Sequence, residues 1–235
     1  MNKKYILVLL LACFSGSTVL AQTSQTSLWG AWFINKRLSP NWGIGGDVQV
    51  RSADKVDYLR NILIRPQVNY YFNNNRFASV GYTYASTYGR NAVTSDHTFR
   101  LENRTWEQFT LIHKLCANST LTHRFRLEQR YMGDSADGVN DSFFAQRFRY
   151  FVRTMVPFKK DSVFVKGAYL AVIDEVFANI QNKEKVNNHL FDQNRAFIAI
   201  GYRLSKAVDV EESTFPFRLL LPRVFDRSDG EWTAL

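Results

Sequence analysis

Apolar and polar residues alternate with a period of two along most of the chain. Within 121–131, Phe125 and Leu127 share one set of alternate positions, while Arg124 and Arg126 occupy the other set. Successive side chains of a β-strand point to opposite faces, whereas a helix would space its charges three or four residues apart. Because the same alternation recurs before and after this segment, the chain is predicted to be all-β.

Ten strands are predicted from this alternation. They span 28–38, 42–51, 58–72, 76–88, 97–114, 119–132, 142–157, 162–177, 191–204 and a weaker strand that begins near residue 207. Most of these segments are longer than the five or six residues typical of soluble strands. Short turns, such as 73–75 and 159–161, alternate with longer polar stretches, such as 133–141 and 178–190. Long strands joined in this way favour an antiparallel transmembrane β-barrel of about 10–12 strands.

Aromatic residues make up 15% of the chain and often lie near the predicted strand ends, for example Trp42, Tyr70, Tyr88 and Trp106. Barrels that face lipid place aromatic rings at both membrane interfaces, because these side chains combine an apolar body with a polar edge. A secreted β-sandwich with an aromatic core is the alternative. Its strands would be shorter and more closely spaced, so the barrel is favoured.

The amino terminus has the pattern of a secretory signal peptide. Lys3 and Lys4 precede the apolar stretch 5–14, which is too short to span a bilayer as a helix, and small residues precede a cleavage site near Ala21. Removal of residues 1–21 lowers the formal charge from +9 to +7. An uncleaved anchor is one alternative.

The two cysteines, Cys13 and Cys116, determine whether a lipid anchor or a disulfide bond is possible. Lipidation of Cys13 would be a second alternative to simple cleavage. Cleavage removes Cys13 and leaves Cys116 as the single cysteine, so no intramolecular disulfide is expected despite export. The fold must therefore be stabilised by other interactions.

Arginine dominates the polar face of the predicted strands. The residues expected to form a polar network in the lumen are Arg65, Gln67, Asn69, Arg100, Glu102, Arg104, Gln108, Arg124, Arg126, Glu128, Arg130, Arg147, Arg149, Arg153, Asp192 and Arg195. Glu107 and Asp174 are further candidate partners for the arginines. Since one guanidinium satisfies several acceptors, such a network could fill a narrow barrel as a structural plug. That is the favoured function.

Two other functions remain open. A surplus of positive charge would suit a small anion-selective pore or a barrel that binds a small anionic solute. An outer-membrane lipid-modifying enzyme would need a spatial cluster of reactive groups, which the sequence cannot place, so no catalytic residue is assigned. No metal and no cofactor are predicted, because ligand spacings and a phosphate-binding loop are both missing from the sequence. Nucleic-acid binding is not expected, since the basic residues follow alternate strand positions behind an export signal.

Several motifs together resemble domain-of-unknown-function family 2490. The most specific are the block 123–130, His-Arg-Phe-Arg-Leu-Glu-Gln-Arg, and the block 192–195, Asp-Gln-Asn-Arg. The others are Leu28-Trp29-Gly30, Arg37-Leu38-Ser39, Trp42-Gly43, Asp47-Val48-Gln49, 64–71, Gly81-Tyr82, Trp106-Glu107-Gln108, Phe148-Arg149-Tyr150, Asp174-Glu175 and Gly201-Tyr202. The resemblance covers about 28–210. It implies an outer-membrane barrel in a Gram-negative bacterium, with outer-membrane lipid and the barrel-assembly machinery as partners, but no activity.

The carboxyl-terminal segment departs from this pattern. Residues 22–210 are predicted to form the barrel, and 211–235 to form a divergent, irregular tail. Pro216 and Pro222 interrupt this tail, alternation is lost, and proline cannot donate a hydrogen bond within a sheet. An incompletely closed barrel is therefore expected.

Overall fold

Ten strands form the protein, in a computed structural model that describes residues 28–53, 56–90, 97–115, 119–133, 142–159, 164–205 and 208–217, with side chains as far as residue 212. They are β1 (Trp29–Arg37), β2 (Trp42–Ala53), β3 (Tyr58–Asn73), β4 (Arg76–Arg90), β5 (His97–Lys114), β6 (Thr120–Gly133), β7 (Ser142–Pro157), β8 (Gly167–Gln181), β9 (Phe191–Ser205) and β10 (Val208–Phe217). A short 3-10 helix, Lys183–Lys185, precedes β9. The prediction of an all-β antiparallel fold is confirmed.

The strands pair in the order of the sequence, each antiparallel to its neighbours, in one ten-stranded sheet. The sheet curls so far that Trp29, at the start of β1, contacts Phe197 of β9, with ring centroids 6.3 Å apart. Among the described residues, no hydrogen-bonded ladder joins β1 to β10. The fold is therefore an open barrel with a seam between its first and last strands.

The two ends of the sheet differ in their connections. The connections that follow β1, β3, β5, β7 and β9 lie at one end, which we call the turn end. Those that follow β2, β4, β6 and β8 lie at the other end, the loop end, together with Leu28 and Phe217. The curled sheet thus has an inner face, an outer face and two distinct mouths.

The largest difference from the predicted strands is in β8. This strand begins at Gly167, where φ is +138°, a conformation that strongly favours glycine, and not at residue 162. It then continues past residue 177 as far as Gln181, and Asn182 ends it with a left-handed φ of +53°. The connection before β8 is consequently longer than the predicted turn at 159–161.

The last strand, β10, continues past residue 210, the predicted end of the barrel domain. Its register against β9 shifts between Thr214 and Pro216. An edge strand tolerates proline because one of its sides has no partner strand to bond. The predicted signal peptide, Cys116 and residues 218–235 lie outside the described residues.

The burial pattern is reversed relative to a soluble protein. Many of the buried side chains are polar or charged, among them Glu128, Arg126, Arg149 and Asn69, whereas large apolar side chains are exposed on the outer face. An apolar cluster occupies the inner face near the turn end and comprises Phe164, Tyr169, Ala171, Ala199 and the partly buried Met155. The polar groups above this cluster form the candidate site.

Among the described residues, no helix is both long enough and apolar enough to cross a membrane.

Candidate functional site

Glu128 of β6 is the centre of a charged network on the inner face, and it is only 1% exposed. Arg147 donates to its carboxylate from Nη2 at 2.7 Å and from Nε at 3.0 Å, and Arg149 donates from Nη1 at 2.5 Å. Arg126 and Arg104 complete the shell, with nitrogen–oxygen distances of 3.7 Å and 3.9 Å. One carboxylate therefore interacts with four guanidinium groups.

Two further glutamates extend the network to either side. Glu102 of β5 accepts hydrogen bonds from Arg104 at 2.7 Å and from Arg130 at 2.5 Å. Glu175 of β8 accepts from Arg149 at 2.6 Å and from Arg124 at 2.9 Å. The last contact joins β6 to β8 across the intervening strand β7.

Asp192 joins the network from the start of β9. Its carboxylate lies 3.3 Å from Nη1 of Arg147 and also accepts from the side chain of Asn187 at 3.0 Å. The pairing of β8 with β9 is irregular between Phe177 and Ala178, close to Asp192. Because a bulge shifts the alternation of faces, Asp192 reaches an inner-face arginine.

The network carries a surplus of positive charge. Its ion pairs join six arginines, Arg104, Arg124, Arg126, Arg130, Arg147 and Arg149, to four carboxylates, Glu102, Glu128, Glu175 and Asp192. A charge held away from water is costly unless it is paired and hydrogen-bonded. Because four carboxylates are shared among six arginines, only part of the positive charge is neutralised.

Buried aromatic rings support the guanidinium groups. Arg126 lies 3.9 Å over the ring of Trp106, whose indole nitrogen donates to the Thr83 hydroxyl at 3.0 Å. Trp106 was predicted to lie among the aromatic residues near the strand ends. It is only 1% exposed and belongs to the interior. The ring faces stabilise cations through their quadrupoles, an effect that is larger where water is excluded.

Balanced ion pairs lie around the central network. Arg65 of β3 makes a bidentate contact with Asp47 of β2, with a shortest distance of 2.7 Å. Arg153 contacts Glu211 of β10, and Glu211 also accepts from the hydroxyl of Tyr169 at 3.0 Å. These pairs tie together strands near both sides of the seam.

The predicted network residues separate into four groups. The ionic core contains Glu102, Arg104, Arg124, Arg126, Glu128, Arg130, Arg147, Arg149 and Asp192, with Gln108 accepting from Arg126 at 2.6 Å. Gln67 and Asn69 form an amide cluster with Asn35 and Ser79 on β1, β3 and β4. Arg65 and Arg153 make separate pairs, and no ion pair joins Arg100 or Arg195 to another described residue.

Glu107 and Asp174, the further candidate partners, lie on the outer face. Glu107 is exposed and accepts from Gln129 at 3.0 Å, while Asp174 accepts from Asn194 at 2.7 Å. The neighbouring Glu175 is the residue that reaches the arginines. The alternation of faces along β8 contained the signal that separates Asp174 from Glu175.

Four interior residues lie outside the network predicted from sequence, namely Asp47, Arg51, Phe177 and Glu211. Phe177 is 1% exposed, and Arg147, Arg149 and Arg195 all lie within 5.0 Å of the centroid of its ring. These contacts depend on how tightly the sheet curls, which a strand-by-strand reading does not specify.

The outer face carries two aromatic belts. At the turn end Trp42, Tyr70, Phe72 and Phe109 form a chain of edge-to-face contacts, with centroids 5.0 to 6.1 Å apart. At the loop end two pairs, Tyr88 with Phe99 and Tyr131 with Phe144, each have centroids 5.2 Å apart. The belts follow the two rims of the sheet.

The distance between the two belts is close to the height of the apolar band of outer-membrane barrels. Phe99 and Phe109 lie ten residues apart on β5. At about 3.4 Å per residue and a tilt of about 35–45°, this separation corresponds to roughly 24–28 Å along a barrel axis. The apolar band of outer-membrane barrels is about 25 Å tall.

The arrangement of the potential metal ligands is a further property of the inner and outer faces. No group of three or more His, Cys, Asp or Glu side chains is placed to hold a metal ion within the described part of the chain. His113 and His123 contact each other near the turn end, with centroids 5.5 Å apart, and Nδ1 of His123 lies 2.8 Å from the Tyr150 hydroxyl. These histidines pack with an aromatic neighbour.

Comparison with known proteins agrees with this description. The family model for proteins of unknown function, DUF2490, matches residues 26–213. The chain belongs to this family. The DUF2490 region contains β1–β9, most of β10 and every residue of the arginine network. No curated protein and no solved structure matches the chain.

Proposed function

We propose that this DUF2490 protein is an outer-membrane β-barrel whose arginine–carboxylate network fills the interior and holds the strands together. The observation that carries the proposal is the combination of a charged interior with two outer aromatic belts spaced at membrane thickness. A soluble sandwich would bury its apolar side chains instead. Export by the amino-terminal signal, insertion by the barrel-assembly machinery and contact with outer-membrane lipid are parts of this proposal.

The network supports a structural role more directly than a conducting one. Its arginines contact carboxylates from β5, β6, β8 and β9, so the ion pairs link five consecutive strands, β5 to β9. Glu102, Glu128 and Glu175 are each less than a tenth exposed. Buried side chains that project inwards from these strands would narrow the path that an ion would follow.

Cell fractionation combined with gel migration of unboiled samples tests the location and the fold. We expect the protein in the outer-membrane fraction, with an unboiled band that migrates differently from the boiled one. Recovery in the soluble periplasmic fraction, without any difference between the two bands, would refute the proposal.

An arginine on the outer face tests lipid contact itself. Ile64 is 44% exposed near the middle of β3, so Ile64→Arg would place a charge in the bilayer at a cost of about 2–4 kcal/mol. We expect a lower yield of folded protein in membranes. Val165→Arg is the matched control, since Val165 is 41% exposed outside the strands. Equal yields of the two variants would argue against a lipid-facing sheet.

Planar-bilayer recording separates the proposed function from its alternatives. We expect no sustained channel current from the reconstituted protein. A steady anion-selective current would instead favour the pore. Release of a modified lipid in a product assay would favour an enzyme.

A further inference from the structure

Arg51 and Arg195 are inner-face arginines that, like Arg100, have no carboxylate partner among the described residues. Arg51, near the end of β2, hydrogen-bonds the side chain of Gln49 at 2.8 Å and lies 4.0 Å over the ring of Trp29. Arg195, near the start of β9, has only its contact with the ring of Phe177, at 4.8 Å. Both residues therefore lie towards the loop end of the sheet.

The curl of the sheet brings these two arginines together across the seam. The ring of Trp29, over which the Arg51 guanidinium lies, contacts the ring of Phe197. Phe197 lies two residues after Arg195, so both are on the same face of β9. The positive charges of Arg51 and Arg195 are close enough to repel each other. Such a juxtaposition of like charges is unfavourable unless an anion lies between them.

Arg149 borders the same space. Its guanidinium lies over Phe177, as that of Arg195 does, so the two guanidinium carbons are within about 10 Å of each other. Arg149 is 7% exposed, and its Nε is a buried donor without a hydrogen-bond partner in the described structure. The Nε of Arg51 is a second buried donor of this kind. Unpartnered donors in an interior point to a ligand that would satisfy them.

The carboxylates nearby do not neutralise these charges. Glu175 interacts electrostatically with both arginines, but it already accepts hydrogen bonds from Arg149 and Arg124. With Arg51 and Arg195 included, eight arginines in this region stand against the four carboxylates of the ionic core. Arg51 and Arg195 extend this positive surplus towards the loop end.

We propose that Arg51, Arg149 and Arg195 form a binding site for an oxyanion of the phosphate class. Guanidinium groups present paired N–H donors that match the oxygens of phosphate, and three such groups would bind a dianion more strongly than chloride. The site is open to a free phosphate and also to a phosphate borne by a lipid headgroup. It does not rest on the proposed membrane location.

Calorimetric titration of the purified full-length protein in a non-ionic detergent tests the site. The probe is inorganic phosphate at constant ionic strength. We expect saturable binding that weakens by on the order of tenfold in Arg195→Gln and in Arg51→Gln, because each loses charge-assisted hydrogen bonds. Arg90→Gln is the control, since Arg90 pairs with Asp57 at the surface and should bind phosphate as the parent does.

The outcomes discriminate between a site and a general charge effect. Saturable binding that survives both Arg195→Gln and Arg51→Gln unchanged would overturn the proposal, as would the absence of saturable binding in the parent. If either glutamine variant fails to fold, Arg195→Lys is used instead. Lysine keeps the positive charge but lacks the planar guanidinium group, so weaker phosphate binding by this variant supports the site. A short-chain phosphatidic acid that competes with phosphate identifies a headgroup as a ligand, and its failure to compete identifies a free anion.

Discussion

Replacement of Glu128 by glutamine tests whether the ionic network holds the barrel together. Glutamine keeps the shape of the side chain but removes the negative charge and turns an N–H₂ group towards the arginines. The change leaves Arg147 and Arg149 without their closest charged partner, and it affects the longer contacts to Arg104 and Arg126 as well. Glu128 is 1% exposed, so water cannot replace the lost interactions.

The expected loss of stability can be bounded. Removal of one partner from a buried ion pair costs about 3–5 kcal/mol. The amide oxygen of glutamine can still accept one hydrogen bond, so we expect the lower part of this range, about 3 kcal/mol. For a chain of this size, that loss corresponds to a decrease of about 6–12 °C in the unfolding temperature.

Thermal loss of the unboiled gel band, and guanidinium unfolding followed by tryptophan fluorescence, would measure the effect. Glu107→Gln is the matched control, because Glu107 lies exposed on the outer face and accepts from Gln129 alone. Its change in stability should be much smaller. A double variant that also carries Arg147→Gln should recover part of the loss, since it removes one of the surplus charges. Unfolding of Glu128→Gln at the parent's temperature would refute the reasoning.

Two other substitutions test the packing and the pairing on the inner face. A Cβ at Gly81 would lie 2.2 Å from the ring of Trp106, so Gly81→Ala should cost about 1–3 kcal/mol, whereas Gly30→Ala meets no atom within 4 Å and should be tolerated; equal unfolding midpoints for the two variants would contradict this packing. Asp47→Asn should cost about 1.5–3 kcal/mol by breaking its contact with Arg65, and the double variant Asp47→Asn, Arg65→Gln should lose less than the sum of the single losses. Strict additivity in denaturant unfolding would show that the pair contributes nothing.

Strand positions could be predicted from sequence because the alternation is long and each strand has two different environments. A shift of one residue would exchange the arginines of β6 for its outer aromatic residues, so the register is strongly specified. The end of β8 was harder to predict. The polar stretch predicted at 178–190 includes Ala178 and Ile180, although Asn179 between them is buried and continues the alternation.

The composition of the network was predictable only in part. Cross-strand neighbours such as Glu128 and Arg147 follow from adjacent predicted strands. The contact of Arg124 with Glu175 bridges two strands that do not pair, and the contact of Asp192 depends on a local bulge. Curvature and bulges arise from the packing of the whole sheet, so the local pattern does not specify them.

The sequential pairing of the strands has a consequence for assembly. Because every strand pairs only with its neighbours in sequence, the sheet can grow one hairpin at a time from either edge. Growth from β1 would bring Glu102 and Glu128 in with β5 and β6, before the arginines of β7 arrive. The guanidinium groups of β7 would then meet a carboxylate already in place, and Glu175 would follow on β8. Growth from β10 would bring in Asp192 with β9 and Glu175 with β8, again before Arg147 and Arg149. The arginines of β7 therefore meet a carboxylate already in place whichever edge of the sheet forms first.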